Sequence, residues 1–149
     1  MSLDTLITKD TIVISTQDNL SVNEALEVTC STLIEQGKVE PRYLEAIKEK
    51  HHDIGAYYVL APKIAMPHAR PEDGVNEPSL QVTVFKQGVD FQSEENGPVY
   101  VAITLAAMDA NNHIETIVAL SELFQNEGDI EAIIQAKTES DILDIIKKY

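Results

Sequence analysis

The sequence predicts an α/β fold: one layered domain over residues 1–149, a mixed central β-sheet with helices on both faces. Three observations predict it. Extended, β-branched stretches are interleaved with segments of helical period. The run Val99–Met108 is apolar except for Thr104, as a central strand covered on both faces requires. The chain has 149 residues, 44% of them hydrophobic, and a domain of that size buries roughly two-thirds of its unfolded surface.

The elements follow in order. Thr11–Ile14 has the β-branched content of a short strand. Ser21, with Glu24 three residues on, forms a capping-box signature. Val22, Ala25, Leu26, Thr29 and Leu33 then keep helical spacing until Gly37 stops the helix. Cys30 lies beside that stripe and reads as a small buried thiol. Pro41 suits a first helical turn, and Tyr43, Leu44 and Ile47 predict a second helix ending near His51. Tyr57–Leu60 and Ile64–Met66 read as short extended pieces. Leu80, Val82 and Val84 alternate with Gln81, Thr83 and Phe85, predicting a half-buried strand.

Beyond the central strand the period changes to that of a helix marked by Ile114, Ile117, Val118, Ser121 and Phe124, with Asn111 or Asn112 as N-cap. Two short helices follow, carrying Ile130, Ile133, Ile134 and Ile142, Leu143, Ile145, Ile146. Asp129 and Ser140 are the expected caps. No repeat, low-complexity tract or linker interrupts the pattern.

A formal net charge of −14 argues against nucleic acid or an anionic membrane surface as partner. The N-terminal residues show no basic start followed by an apolar run, so a cytoplasmic protein without a signal peptide is expected. Val99–Met108 is too short to span a bilayer, and no direct membrane insertion is expected. The lone Cys30 removes any internal disulfide framework.

The chemistry-bearing stretch is Ala-Pro-Lys-Ile-Ala-Met-Pro-His-Ala-Arg-Pro, residues 61–71. Two prolines flank His68 and bias Met66 and Arg70 toward extended backbone, so the loop presents the imidazole instead of folding it into a helix. Imidazole is a nucleophile at neutral pH, and the Arg70 guanidinium two residues on can face a phosphoryl dianion. A second histidine, His113, stands where strand gives way to helix, a place that favours anions. His51-His52 matches no zinc signature, so no metal site is expected. No P-loop, G-x-S-x-G or G-x-G-x-x-G occurs.

The segments APKIAMPHARPEDG and LAAMDANNHIETIVALSELF resemble, in that order, the two histidine segments of EIIA components of the bacterial phosphoenolpyruvate-dependent sugar phosphotransferase system, in the mannitol/fructose-type superfamily. PHARPEDG together with DANNHIE is most similar to the ascorbate branch. The resemblance implies a phosphotransferase without a cofactor. In it, His68 accepts a phosphoryl group from phospho-HPr through Nε2 and passes it to a cysteine of EIIB, which serves the membrane component EIIC. It implies that His113 hydrogen-bonds the phosphoryl group. Mannitol-type relatives place an arginine upstream of the nucleophile. This chain has Lys48, Lys50, His51 and His52 there, so Arg70 or one of those cations would supply the charge. The alternative is a regulatory module of nitrogen-regulatory or antiterminator type, in which phosphorylation of His68 is a signal. A metal-dependent hydrolase built on the histidines is a further alternative. An apolar rim of Ile64, Met66 and Ala69 is expected around a shallow site.

Overall fold

The computed structural model describes residues 3–108 and 113–149. Among them lie β1 (Ile12–Ser15), α1 (Val22–Glu35), α2 (Pro41–Ile54), β2 (Val59–Ala61), β3 (Lys63–Ala65), β4 (Ser79–Val89), β5 (Val99–Ala106), α3 (Ile114–Gln125), α4 (Glu127–Gln135) and α5 (Glu139–Ile146). The sheet is mixed, in the order β1-β4-β5-β3-β2. β1 runs parallel to β4 and β3 parallel to β5, whereas β4–β5 and β2–β3 are antiparallel. Helices cover both faces, as predicted.

Alternation along the two long strands builds the two cores. Leu80, Val82, Val84, Val101, Ile103 and Leu105 pack beneath Leu120, Leu123, Ile130, Ile133, Ile142 and Ile146 of α3–α5. Phe85, Val99, Ala102 and Ala106 face Leu26, Leu33, Tyr43 and Ile47 of α1 and α2. β4 therefore corrects the sequence reading. It is buried on both faces from Ser79 to Phe85, because its polar residues lie under α1 with their hydrogen bonds made. The Gln81 amide donates to the Val28 carbonyl at 2.7 Å and accepts the Thr32 N–H at 3.0 Å, inserting into a turn of α1.

Local signals held where they are short-range. Ser21 and Glu24 form both bonds of the capping box, and Gly37 takes φ 71° just beyond α1. α2 runs three residues past His51, to Ile54, where Gly55 (φ 84°) ends it. The caps of the last two helices lie further upstream than expected. Asn126 Oδ1 accepts from Asp129 N, and Thr138 Oγ1 accepts from Asp141 N. Asp129 and Ser140 lie in the first turns instead, where the Asp129 carboxylate favours the helix start without capping it. Asn111 and Asn112 lie outside the described residues; the N-cap position of α3 is His113 itself.

The face of α3 is the largest departure. Ile114, Ile117 and Val118 are 61%, 46% and 50% exposed, and Thr116, Ala119, Leu120 and Leu123 are the buried residues. Among the described residues, nothing buries those three side chains.

Candidate functional site

β3 delivers the histidine loop to the middle of the molecule. Ala65 pairs with Ala102 of β5. Just past the strand, Leu105 N–H donates to Pro67 O at 3.0 Å, while Met66 N–H donates back to Tyr58 O at 2.8 Å. The proline carbonyl can close this ladder even though its nitrogen cannot donate. The chain then turns outward and presents His68, whose ring is half-buried.

Its tautomer is set by one bond. Nδ1 lies 2.7 Å from the Met66 carbonyl oxygen, an atom that only accepts, so Nδ1 carries the proton and Nε2 keeps its lone pair. The ring stands edge-on to Tyr57, with centroids 5.4 Å apart and planes at 77°. Tyr57 Oη donates to His68 O at 2.5 Å. Ala69 N–H donates to Tyr43 Oη at 3.0 Å, and that hydroxyl donates to Leu105 O at 2.7 Å.

His113 is 2% exposed. Its Nε2 accepts the Met108 N–H at 3.0 Å, and its buried Nδ1 has no partner among the described residues. Both histidines are anchored at the end of β5, the first through Pro67–Leu105 and the second through Met108, three residues on. In their neutral forms the two rings are complementary: one keeps a free lone pair on Nε2, the other an unspent N–H on Nδ1.

The cations sort by what already holds them. Arg70 is exposed and lies 3.6 Å from Glu72 and 3.7 Å from Asp73. Its own N–H donates to Asp73 Oδ2, and Arg42 secures the same turn by donating to Glu72 O at 2.7 Å. Gly74 closes that turn at φ 135°, where an added Cβ would meet Arg42, Glu40 and Tyr43 at 3.2–3.3 Å. Lys50 holds its ammonium 4.5 Å above the Tyr57 ring, on the aromatic that touches His68. Lys48 is paired with Glu27 and Glu45 on another side of α2.

His51 and His52 part company. His52 is exposed. His51 is half-buried, 2.9 Å from Tyr58 Oη through Nδ1 and 3.1 Å from Gln92 Oε1 through Nε2. The amide oxygen accepts, so Nε2 donates and Nδ1 takes the tyrosine proton. Among the described residues, no group of three His, Cys, Asp or Glu side chains is placed to hold a metal ion.

The apolar rim also differs from expectation. Ile64 is in the core, and Met66 and Ala69 are half-buried. Among the described residues, the exposed large apolar side chains are Ile54, at the end of α2, and Leu60, Met108, Ile114, Ile117 and Val118. A groove of about 300 Å³ runs between Leu60, Met66, Ile117 and Phe124. Sequence reasoning missed Tyr43 and Tyr57 as site residues, reading one as helix core and the other as strand. The available signal was chemical: a buried tyrosine needs a partner for its hydroxyl.

A fold and sequence of this kind recur in known proteins. The family model described as "Phosphoenolpyruvate-dependent sugar phosphotransferase system, EIIA 2" matches residues 5–149, and the chain belongs to this family. The ascorbate-specific PTS system EIIA component of Escherichia coli (strain K12) is 37% identical over 126 residues, covering 84% of this chain and 82% of that one. The protein of the same description from Salmonella choleraesuis (strain SC-B67) is 35% identical over 146 residues, 97% of this chain and 94% of its own. Among solved structures, the solution structure of the mannitol-specific cryptic phosphotransferase enzyme IIA CmtB from Escherichia coli superposes with a TM-score of 0.90 at 34% identity, covering 100% of both chains. Among the described residues, no helix is long and apolar enough to cross a membrane.

Proposed function

We propose that the chain is a phosphoryl relay in which His68 Nε2 is the acceptor atom. One observation carries this reading: the 2.7 Å bond from Nδ1–H to Met66 O places the lone pair of the neutral ring on Nε2, on a half-buried side chain. Phosphoryl transfer asks for a positioned nucleophile and for donors around the three equatorial oxygens, with little further covalent help. The Nε2 lone pair attacks phosphorus in line as the P–N bond to the histidine of phospho-HPr breaks, and that imidazole leaves with the bonding electrons. In the second step a cysteine thiolate of EIIB attacks, a P–S bond forms, and His68 recovers its lone pair. EIIC then meets this chain only indirectly.

His113 is assigned to the phosphoryl oxygens. Its unpartnered Nδ1–H is a donor kept dry and unspent, the state in which a donor contributes most to a developing anion. Arg70 is assigned the neutralising charge. Its guanidinium is solvent-exposed, which leaves its ion pairs with Glu72 and Asp73 weak enough to exchange for a dianion. Lys50 is the other cation close to the ring, through Tyr57.

The uncovered side of α3, with Leu60 and Met108, supplies an apolar docking face that HPr and EIIB use in turn. The net charge of −14 steers basic partner surfaces toward it. The sugar is proposed to be L-ascorbate, on the identity to ascorbate-specific components. Reconstitution with phosphoenolpyruvate, the general kinase and HPr, followed by purified EIIB proteins of ascorbate, galactitol, mannitol and fructose type, tests this. Onward transfer fastest to the ascorbate-type cysteine supports the assignment. Labelling of the chain with no transfer to any EIIB would point to the regulatory alternative.

A further inference from the structure

His68 O and Ala69 N belong to one peptide group, and a tyrosine hydroxyl holds each. Tyr57 Oη donates to the carbonyl at 2.5 Å, and the amide donates to Tyr43 Oη at 3.0 Å. Tyr43 is fully buried in α2 and gives its own proton to Leu105 O at 2.7 Å. The peptide is thereby tied to β5, the strand that leads on to His113. Turning ψ of His68 or φ of Ala69 breaks one of these bonds. The same torsions set where the imidazole stands relative to Met66 O, its other anchor at 2.7 Å.

Packing alone does not call for these hydroxyls. Phenylalanine would supply the same ring against His68 or the core, without the cost of burying an oxygen. Burial pushes the Tyr43 hydroxyl up to about 12 and raises that of Tyr57 further, so both remain neutral donors throughout the physiological range. The neighbouring Tyr58 supplies a contrast within the same segment. Its ring is fully buried, as Tyr43 is and more than the half-buried Tyr57, but its hydroxyl goes to His51, away from the 68–69 peptide.

We infer that Tyr57 and Tyr43 are positioning residues for phosphoryl transfer, clamping the His68–Ala69 peptide so that Nδ1–H stays on Met66 O and Nε2 stays open for in-line attack. The inference rests on the reading of His68 as acceptor and deepens it. The clamp acts on orientation, so its loss lowers the transfer rate and leaves donor binding alone.

The test uses Tyr57→Phe, Tyr43→Phe and, as control, Tyr58→Phe in the full chain. The ¹⁵N shifts of the His68 ring report the tautomer in unphosphorylated protein, and rapid quench with phospho-HPr gives the maximal rate and the half-saturating donor concentration. In Tyr57→Phe the ring should become a mixture of tautomers. The maximal rate should fall roughly tenfold to a hundredfold with half-saturation unchanged. Tyr43→Phe should do the same, and Tyr58→Phe should match the wild type in both readouts. Wild-type tautomer and rate in Tyr57→Phe overturn the clamp, and Tyr57→Phe decides the matter alone if Tyr43→Phe fails to fold. A wild-type chain that takes no phosphoryl group overturns the relay reading instead, while the tautomer shifts still decide whether the tyrosines hold the ring.

Discussion

His113 accepts the Met108 backbone N–H on Nε2 at 3.0 Å, which leaves the proton of its neutral ring on the buried, unpartnered Nδ1. A buried donor without an acceptor costs about 1–3 kcal/mol, a cost recovered when a phosphoryl oxygen binds there. His113→Ala should therefore still be labelled at His68 by phospho-HPr. Onward transfer to EIIB should slow by about a hundredfold, the scale of losing one donor to a developing anion. Rapid-quench transfer kinetics check this, and an unchanged onward rate removes His113 from the site.

The charge assignment is tested by removing each cation in turn. Arg70 has an exposed guanidinium in long ion pairs with Glu72 and the half-buried Asp73, whereas Lys50 is held against an aromatic face. Arg70→Ala should slow labelling about tenfold, as expected for one charge-assisted hydrogen bond, and the loss should shrink as salt is raised. If Lys50→Ala causes the slowing and Arg70→Ala does not, the cation is Lys50.

Cys30 makes alkaline stability a readout of core integrity. Burial pushes its thiol from 9.0 up to about 12, against smaller opposing effects of Thr29 and Lys48. An unfolded thiol ionises near 8.5, so above that pH the unfolded chain sheds a proton the native chain keeps. The thiol's contribution to stability is thus full below about pH 8 and is lost progressively as pH rises toward 12. Between pH 8 and pH 10 the thiol's share of that decline is about 2 kcal/mol. Urea unfolding with reductant at pH 8, 9 and 10 should show a shallower decline in Cys30→Ala than in the wild type. Equal slopes would mean that the thiol is not dry.

Gln81 joins β4 to α1 through three contacts, with Val28 O, Thr32 N and Thr32 Oγ1, and bonds Thr83 Oγ1 within its own strand. Gln81→Leu strands those groups in the interior and should lower stability by about 2–4 kcal/mol in urea unfolding. A loss under about 0.5 kcal/mol, the range of surface substitutions, would contradict the bonded geometry.

What was legible follows the range of the interactions. The Ser21–Glu24 box and the apolar run of β5 are local signals, and both were read correctly. β4 was misread because its second face is closed by α1, with the Gln81–Val28 bond spanning 53 residues of chain. The final caps were misplaced because a short polar side chain in the first turn, Asp129 or Ser140, and a capping one look alike in sequence. Periodicity in α3 showed which residues are apolar and not which way they face, and the exposed Ile117 and Val118 are the consequence. His68, His113 and Arg70 were singled out as candidates through short motifs. Tyr43 escaped because it lies 26 residues before the amide it accepts from, a contact that only the fold creates.

The central claim is that one imidazole nitrogen, His68 Nε2, carries the phosphoryl group. The direct measurement is to incubate the chain with phosphoenolpyruvate, the general kinase and HPr, then locate the acid-labile phosphate by peptide mapping. ¹⁵N and ³¹P spectra of the phosphorylated chain would assign the nitrogen. One phosphate per chain, on His68 through Nε2 and absent from a folded His68→Ala variant, is the predicted result. Stoichiometric labelling that persists in His68→Ala, or that maps to His51, His52 or His113, would contradict it.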